Sequence, residues 1–200
     1  MSGKTIILDF ETSGLNPYHD DIIEIGAKIL GEDNIFNMLV KPKSGKLISK
    51  KITDITNITN RMLSNEGKSW EICYIAFYNW LIENLDKNNL NLIVSHNGTT
   101  FDFIFFKRLL IDLNENSHNI EEFKKFNIHY IDTLLLSRKL LPGRTYYNQK
   151  SLCNSYNIDI IQEHRALGDV LCLEKIYMKL YQKGKFKNND EVYNYLNYIL

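Results

Sequence analysis

The sequence predicts an α/β fold in which a mixed five-stranded sheet is flanked by helices on both faces. An apolar run near the start is followed by two apolar segments joined by a short polar turn, which is typical of a hairpin. Short apolar strands then alternate with segments of helical spacing, a pattern that favours a sheet covered by helices. The chain has 200 residues, 44% of them hydrophobic, which suffices for one well-cored domain.

The predicted strands are short, apolar and bounded by turn residues. The first is rich in β-branched residues, which indicates a central strand, and Gly14 and Pro17 lie just beyond it. A Gly-Glu-Asp-Asn turn at residues 31–34 separates the second strand from the third. The predicted strands span residues 5–10, 22–30, 35–40, 90–95 and 128–131.

Apolar residues at three-to-four spacing predict the helices. Asp132 is expected to cap one of them, and Pro142 and Gly143 follow its end. The chain carries no low-complexity linker and no internal repeat, so one domain is expected. The predicted helices span residues 52–63, 69–85, 101–113, 132–140, 149–156 and 165–181, and a last docking helix is predicted within 190–200.

Charge and composition limit the classes of function. With 24 basic and 24 acidic residues the formal net charge is zero, so no global field draws the protein to a polyanion. Binding to a polyanion would depend on local basic clusters or on metal ions. One basic cluster lies at residues 41–51 and another at 183–187, and for both a solvated lysine surface is the alternative interpretation.

Cysteine usage and hydropathy predict a soluble intracellular protein of the cytoplasm, nucleoid or nucleus. Cys73, Cys153 and Cys172 show no CxxC spacing, which indicates free thiols in a reducing compartment. The first predicted strand follows residue 4, which leaves no room for a signal peptide. No apolar run is long enough to span a bilayer. The richness in Asn, Ile, Lys and Tyr fits an AT-rich genome, as in a bacterium, a protist or a large DNA virus.

Two carboxylates lie at the end of the first predicted strand. Asp9 and Glu11 are two residues apart, so their side chains project from the same face. Such carboxylates repel each other and are costly to desolvate, and a hard divalent cation would relieve both costs. A strand end that simply reaches solvent is the alternative. Thr12, Ser13 and Gly14 then predict a tight turn with open backbone N–H groups.

A second polar segment follows the strand at residues 90–95. His96 and Asn97 are candidate ligand contacts at the strand end, and Thr99-Thr100 is expected to cap the next helix. Asp102 lies in the first turn of that helix, where the helix dipole favours a carboxylate. Ordinary helix-start chemistry is therefore the alternative interpretation for this residue.

A third segment contains a histidine and another carboxylate. His164 comes five residues before Asp169, and Ala166 between them is small enough to let the loop pack close to the sheet. A histidine in a loop is more often a surface residue. This segment therefore indicates a functional site only when it is considered together with the other two segments.

In this order, the three segments resemble the DEDDh branch of the DnaQ-like 3′-to-5′ exonucleases, which belong to the ribonuclease H-like superfamily. The His-x-Ala-x-x-Asp spacing is that of the DEDDh branch, whereas the DEDDy branch has tyrosine at the position of Arg165. Ile55–Thr59 also resembles the family's Thr-Gly-Ile-Thr segment. Asn57 replaces the usual glycine there, and asparagine tolerates positive φ better than most residues. The resemblance runs from about residue 5 to residue 180.

The resemblance implies a metal-dependent exonuclease that releases nucleoside 5′-monophosphates from a 3′ end of DNA or RNA. Asp9, Glu11, Asp102 and Asp169 would hold two divalent cations, Mg²⁺ or Mn²⁺. His164 would be the general base that takes a proton from the attacking water. Single-stranded or frayed ends would be preferred, because a paired end would first have to open.

The resemblance also implies substrate contacts and partners. Leu15 and Ile58 match apolar residues that pack against the terminal base in the family. Relatives include dimers and polymerase-associated proteins, so a homodimer or a polymerase partner is expected. The full set of predicted substrate contacts is Thr12, Gly14, Leu15, Ile58, Asn97 and Phe101.

The sequence also predicts how the chain is divided, and it leaves two alternative functions open. We expect an exonuclease domain at residues 1–182 and a basic, aromatic helical extension at 183–200 that packs on the same domain. One rival is a non-catalytic nucleic-acid-binding or polymerase-associated module of the same fold. The other is a ribonuclease H-like endonuclease that uses related acids. Closely spaced carboxylates argue against a pure binder, and the His-x-Ala-x-x-Asp spacing favours the exonuclease.

Overall fold

Within the described part of the chain the sheet has five strands, as the sequence predicts. The structure is a computed structural model that describes residues 3–160 and 164–197. The spatial order of the strands is β3-β2-β1-β4-β5. β1 pairs antiparallel with β2, and β2 pairs antiparallel with β3. β1–β4 and β4–β5 are parallel pairs. The strands are β1 Thr5–Thr12, β2 Ile22–Ile29, β3 Ile35–Leu39, β4 Asn91–Ser95 and β5 Ile128–Asp132.

Helices cover both faces of this sheet. Two 3₁₀ turns, at Gly98–Thr100 and Phe123–Lys125, lie between the longer helices. Among the described residues, no helix is both long enough and apolar enough to cross a membrane. The α-helices are α1 Lys50–Thr56, α2 Asn60–Asn65, α3 Trp70–Asn84, α4 Asp102–Glu115, α5 Thr133–Leu140, α6 Gln149–Tyr156, α7 Ala166–Gly184 and α8 Asn189–Asn197.

Alternation along β1 divides the core into two layers. Ile6, Leu8 and Phe10 pack in one buried cluster with residues of α3 and α4. Ile7 belongs to a second cluster that includes residues of α5, α6 and α7. Side chains of a strand alternate between its two faces, so Asp9 shares the face of Ile7. The acids of β1 are therefore aimed towards the side of the sheet that α7 covers.

The segment at residues 52–63 forms two short helices instead of the single predicted helix. Asn57 ends α1 in the left-handed conformation, with φ of 58°. Thr59 then begins α2, and its hydroxyl accepts a hydrogen bond from the backbone N–H of Met62 at 3.1 Å. The left-handed residue is the one at which the sequence departs from the family's glycine, and asparagine can adopt this conformation.

The C-terminal segment packs on the sheet through α8. Val192 is fully buried in the same cluster as Ile7. The side-chain amide of Asn189 donates to the carbonyl oxygen of Leu90 at 2.9 Å, and its carbonyl accepts from the Thr5 hydroxyl at 3.1 Å. The predicted boundary after residue 182 falls in the last turn of α7 and stays a prediction. The predicted docking helix also included residues 198–200, which lie outside the described residues.

Candidate active site

Three carboxylates from two elements meet at the carboxyl-terminal end of β1. Asp9 and Glu11 come from the strand, and Asp169 comes from the first turn of α7. One oxygen of each carboxylate lies within 4.8 Å of the others. The sequence separates Asp169 from Asp9 by 160 positions, and the fold brings them together. This oxygen-rich set has the chemistry that hard divalent cations prefer.

Close packing of α7 on β2 places Asp169 in this group. Ala166, at the start of α7, is fully buried. Gly26 of β2 lies beneath it, and a Cβ built on Gly26 would be 2.6 Å from the carbonyl carbon of Ala166. Neither position leaves room for a larger side chain. The prediction that a small residue lets this loop approach the sheet is confirmed.

Asp102 lies beside the three carboxylates and is held by hydrogen bonds. One oxygen accepts from the hydroxyl of Ser95 at 2.6 Å, and the other accepts from the backbone N–H of Phe10 at 3.1 Å. The residue is buried in the first turn of α4, as predicted. Thr99 and Thr100 do not cap this helix, because they form the preceding 3₁₀ turn and α4 begins after Phe101 without a side-chain cap.

Burial and mutual repulsion keep these acids from ionising easily. Burial, followed by repulsion from neighbouring carboxylates, raises the pKa of Asp9 well above its usual value. The same causes raise the pKa of Glu11 to about 8. Burial raises the pKa of Asp102 to about 7, although its hydrogen bonds from Ser95 and Phe10 oppose the shift. A bound cation would relieve this repulsion, so the donor set fits a divalent metal.

A buried ion pair that sequence reasoning missed fixes the start of α7. Glu24 of β2 pairs with Glu11 across the strands and is only 1% exposed. Its two oxygens accept from the Arg165 guanidinium at 2.7 and 3.0 Å, and one also accepts from the backbone N–H of Ala166 at 3.0 Å. A carboxylate inside an apolar strand needs a buried partner. The presence of Glu24 in such a strand could therefore have predicted an ion pair, although not its partner.

His164 lines a cleft together with two of the carboxylates. The cleft has a volume of about 310 Å³ and is lined by His164, Asp9 and Asp169 together with residues of α6. His164 is exposed and adopts the left-handed conformation with φ of 58°. Gln149 of α6, also missed in the sequence, donates its side-chain N–H to the carbonyl oxygen of Asp169 at 2.8 Å. A histidine and two of the carboxylates therefore line one cleft.

Asp132 organises the polar segment after β4. Its carboxylate caps α5 by accepting from the backbone N–H of Leu134 at 2.9 Å, which confirms the predicted cap. It also accepts from the backbone N–H groups of Asn97 and Thr99, each at 3.0 Å. His96 contacts the Thr133 hydroxyl at 2.9 Å through Nδ1. One carboxylate therefore fixes the path of the loop that leads to Asp102.

The predicted substrate contacts differ in how much surface they offer. Leu15 is 82% exposed, whereas Ile58 is fully buried among Ile23, Ile48 and Leu63. Ile58 has no surface for a base in this conformation, and its contact stays a prediction. The Thr12 hydroxyl donates to the carbonyl oxygen of Gly14 at 2.5 Å, which tightens the predicted turn.

Two further predicted contacts lie on the loop before α4. Asn97 is exposed and left-handed, with φ of 62°, and its side-chain oxygen accepts from the Thr100 hydroxyl at 3.0 Å. The ring of Phe101 packs against Phe105, with the centroids 5.0 Å apart. Both contacts stay predictions, as do Thr12, Gly14 and Leu15.

The chain belongs to the exonuclease family, whose model matches residues 6–177. Similar sequences occur in bacterial DNA polymerase III. The PolC-type polymerase of Thermotoga maritima is 32% identical over 186 residues, which are 90% of this chain and 12% of that protein. The ε subunit of Buchnera aphidicola is 32% identical over 185 residues, which are 87% of this chain and 69% of that subunit.

Solved structures show the same fold. E. coli exonuclease I in complex with a dT13 oligonucleotide matches with a TM-score of 0.73 at 16% identity, over 92% of this chain and 42% of that one. The nuclease domain of 3′hExo, a DEDDh family member bound to rAMP, matches with a TM-score of 0.72 at 16% identity, over 90% and 92% of the two chains. The predicted ribonuclease H-like fold and the resemblance to DnaQ-like exonucleases are confirmed.

Proposed function

We propose that the protein is a metal-dependent 3′-to-5′ exonuclease that releases nucleoside 5′-monophosphates. The observation that carries this proposal is the group of Asp9, Glu11 and Asp169 beside His164, in a chain of the exonuclease family. A protein that only binds nucleic acid gains nothing from acids that repel one another and resist ionisation. A hydrolase gains a place for divalent cations.

All four acids hold the cations in this proposal. Asp9, Glu11 and Asp169 hold divalent cations, Mg²⁺ or Mn²⁺, and Asp102 joins them from the start of α4. Two such cations, when bound, supply positive charge that activates water and stabilises the departing 3′ oxygen. Ser95 and the backbone N–H of Phe10 orient Asp102 in advance, which limits the reorganisation needed when a substrate arrives.

His164 serves as the general base. It lines the same cleft as Asp9 and Asp169, so its imidazole can take a proton from a water molecule that attacks a phosphodiester there. An imidazole suits this role because its usual pKa lies near neutral pH. The exposed side chain of Leu15 offers an apolar surface to the terminal base. Stacking on such a surface is tolerant of sequence, so we expect little base preference and faster attack on single-stranded ends.

A comparison of linear and circular single strands tests the activity. End-labelled linear DNA with Mg²⁺ should lose mononucleotides from its 3′ end, whereas a circle of the same sequence should stay intact. Chelation of the metal should stop the reaction. Cleavage of the circle would support the endonuclease instead, and tight binding without cleavage of either strand would support a non-catalytic module.

The similar sequences support DNA as the substrate and a polymerase as a partner. The chain spans 12% of the PolC-type polymerase of Thermotoga maritima and 69% of the ε subunit, so it corresponds to only a part of each relative. We propose DNA because these relatives are named as DNA polymerases. Matched DNA and RNA oligonucleotides, degraded side by side, should show faster release from DNA. The predicted homodimer can be checked by sedimentation.

Breaking the Arg165–Glu24 pair is expected to lower turnover about tenfold. This is the lower end of the effect of removing a residue that supports the ligands of a metal. The Arg165→Gln variant should do this because the pair fixes the start of α7, between His164 and Asp169. Turnover number, melting temperature and the rise of the melting temperature with Mg²⁺ should be measured. The Mg²⁺-dependent rise should become smaller.

A second buried ion pair provides the matched control. Lys28 of β2 and Glu174 of α7 lie 2.7 Å apart and join the same two elements. Glu174→Gln should lower the melting temperature comparably and leave turnover close to that of the parent. If both variants lose turnover in proportion to stability, the Arg165–Glu24 pair has no specific role in the site.

Two lysines of the cluster at residues 41–51 already make contacts within the protein. Lys43 forms an ion pair with the buried Asp112 at 2.7 Å, and its ammonium lies 4.6 Å from the centre of the Trp70 ring. Lys50 pairs with Asp54 at 2.6 Å. Neutralising Lys43 or Lys50 would therefore break contacts of the fold, so other lysines give a cleaner test of phosphate binding.

The Lys41→Gln/Lys46→Gln variant is expected to raise KM and to lower the log–log salt slope by about one unit for each phosphate that is no longer neutralised. Turnover number should change little, because such lysines act on bound substrate and transition state alike. Lys175→Gln/Lys179→Gln is the control, since both lysines are exposed on α7 and lie outside the cluster. Equal KM and slope in both variants would make the cluster a solvated surface.

A further inference from the structure

Three clefts meet at Asn148 on the surface beside the acidic group. The first is the cleft of His164, which Asn148 and Lys150 also line. The second lies over α6 and is lined by Tyr146, Asn148 and Lys150 with small polar residues. The third lies at the ends of β4 and α5 and is lined by Tyr146 and Asn148 with Asn97 and other residues. We call the second and third clefts together the Tyr146 groove.

The lining of the Tyr146 groove differs from that of the acidic group. The described residues that line it include no carboxylate. The side chain of Tyr146 is 66% exposed and lines both clefts of the groove. Arg138, in the last turn of α5, is exposed and lines the third cleft. An exposed ring beside cationic groups suits a ligand with aromatic bases and a polyanionic backbone.

The loop that carries Tyr146 is held in place by its own hydrogen bonds. The Tyr147 hydroxyl donates to the carbonyl oxygen of Leu141 at 2.7 Å and accepts from the backbone N–H of Arg144 at 3.2 Å. The Arg144 guanidinium donates to the Ser155 hydroxyl at 2.5 Å. The ring of Tyr146 is therefore presented by a fixed backbone, so the entropy cost of stacking a base on it is smaller.

We propose that the Tyr146 groove binds the single strand upstream of the scissile bond, with a base stacked on Tyr146 and a phosphate beside Arg138. The proposal rests on the exonuclease function, because the groove shares Asn148 and Lys150 with the cleft that His164, Asp9 and Asp169 line. It adds a site for the strand outside the terminal nucleotide. The groove should therefore matter for long substrates and not for substrates of one nucleotide.

Substrates of two lengths test the proposal. The p-nitrophenyl ester of thymidine 5′-monophosphate has no upstream nucleotide, and a thymidine 12-mer has eleven. Tyr146→Ala should raise the ratio of KM for the 12-mer to KM for the ester about tenfold, since one base stack is removed. Arg138→Gln should raise the same ratio and also flatten its salt dependence by about one log–log unit. Binding of labelled 12-mer without metal should weaken in parallel.

The control is Ile72→Ala, because Ile72 is 56% exposed on α3 and does not line the groove. Its KM ratio should equal that of the parent protein. A parental ratio in both Tyr146→Ala and Arg138→Gln overturns the groove. Failure of the unmodified protein to hydrolyse either substrate with Mg²⁺ overturns the exonuclease function itself, so the two failures are distinguishable.

Discussion

The Asp9→Asn variant is expected to lose nucleotide release by about 10³-fold or more, because it removes a charge from the group that holds the cations. Its melting temperature without metal should equal or exceed that of the parent. Asp9 is crowded by neighbouring carboxylates and its pKa is raised by burial and their repulsion, so a neutral amide relieves an unfavourable interaction. A nuclease assay and a metal-free thermal melt test the two parts.

Asp102→Asn is the informative comparison for stability. This substitution too should abolish turnover, but the metal-free melting temperature of the variant should not exceed that of the parent. Both oxygens of Asp102 accept hydrogen bonds, from Ser95 and from the backbone N–H of Phe10, and these bonds stabilise the ionised carboxylate. An amide keeps one acceptor oxygen, for the Phe10 N–H, and the Ser95 hydroxyl would have to turn and accept from the amide N–H, so the loss of these charge-assisted bonds offsets the relief of repulsion. Turnover in Asp9→Asn near the parental rate would remove Asp9 from the metal ligands.

The raised pKa values also predict how metal-free stability depends on pH. The pKa of Glu11 rises from 4.5 to about 8 on folding, through burial and repulsion. The folded state therefore holds this proton more tightly than the unfolded state, and the associated stability is present below about pH 4.5 and disappears as the pH rises towards 8. Melting temperature without metal should fall across this window, and saturating Mg²⁺ should reduce the fall.

Local patterns in the sequence carry most of the fold and part of the site. Strand alternation placed Asp9 and Glu11 on one face, because a period of two follows from backbone geometry. The helix predicted at 149–156 matches α6, and Asp132 caps α5 as expected. These features depend on neighbours in sequence. The small residue at Ala166 also predicted the approach of α7 to the sheet.

Contacts between distant segments were harder to predict. The Glu24–Arg165 pair joins residues 141 positions apart, and nothing local in the sequence says which cation neutralises a strand acid. The burial of Ile58 depends on Ile23 and Ile48, which reach it only after folding. The family resemblance supplied an apolar residue at position 58 but not its exposure. Tertiary packing determines this ion pair and this burial, and the periodicity of the sequence does not reveal tertiary packing.

Replacing His164 is expected to lower turnover by roughly 10² to 10⁴, the usual contribution of a general base. Metal binding should survive, because His164 is proposed as a base and not as a ligand. Calorimetric titration with Mg²⁺ checks this second half. A loss of affinity for Mg²⁺ would instead make His164 a ligand and the proposed mechanism wrong.

The choice of replacement at this position matters because of the backbone. His164 has φ of 58°, a conformation that strains alanine and that glycine adopts freely. His164→Ala removes the imidazole and adds strain to the loop before α7, whereas His164→Gly removes the imidazole without that strain but makes the unfolded chain more flexible. If proton transfer is what the residue supplies, both variants should lose turnover equally. A much larger loss in the alanine variant would mean that the loop conformation, and not the imidazole, limits the reaction.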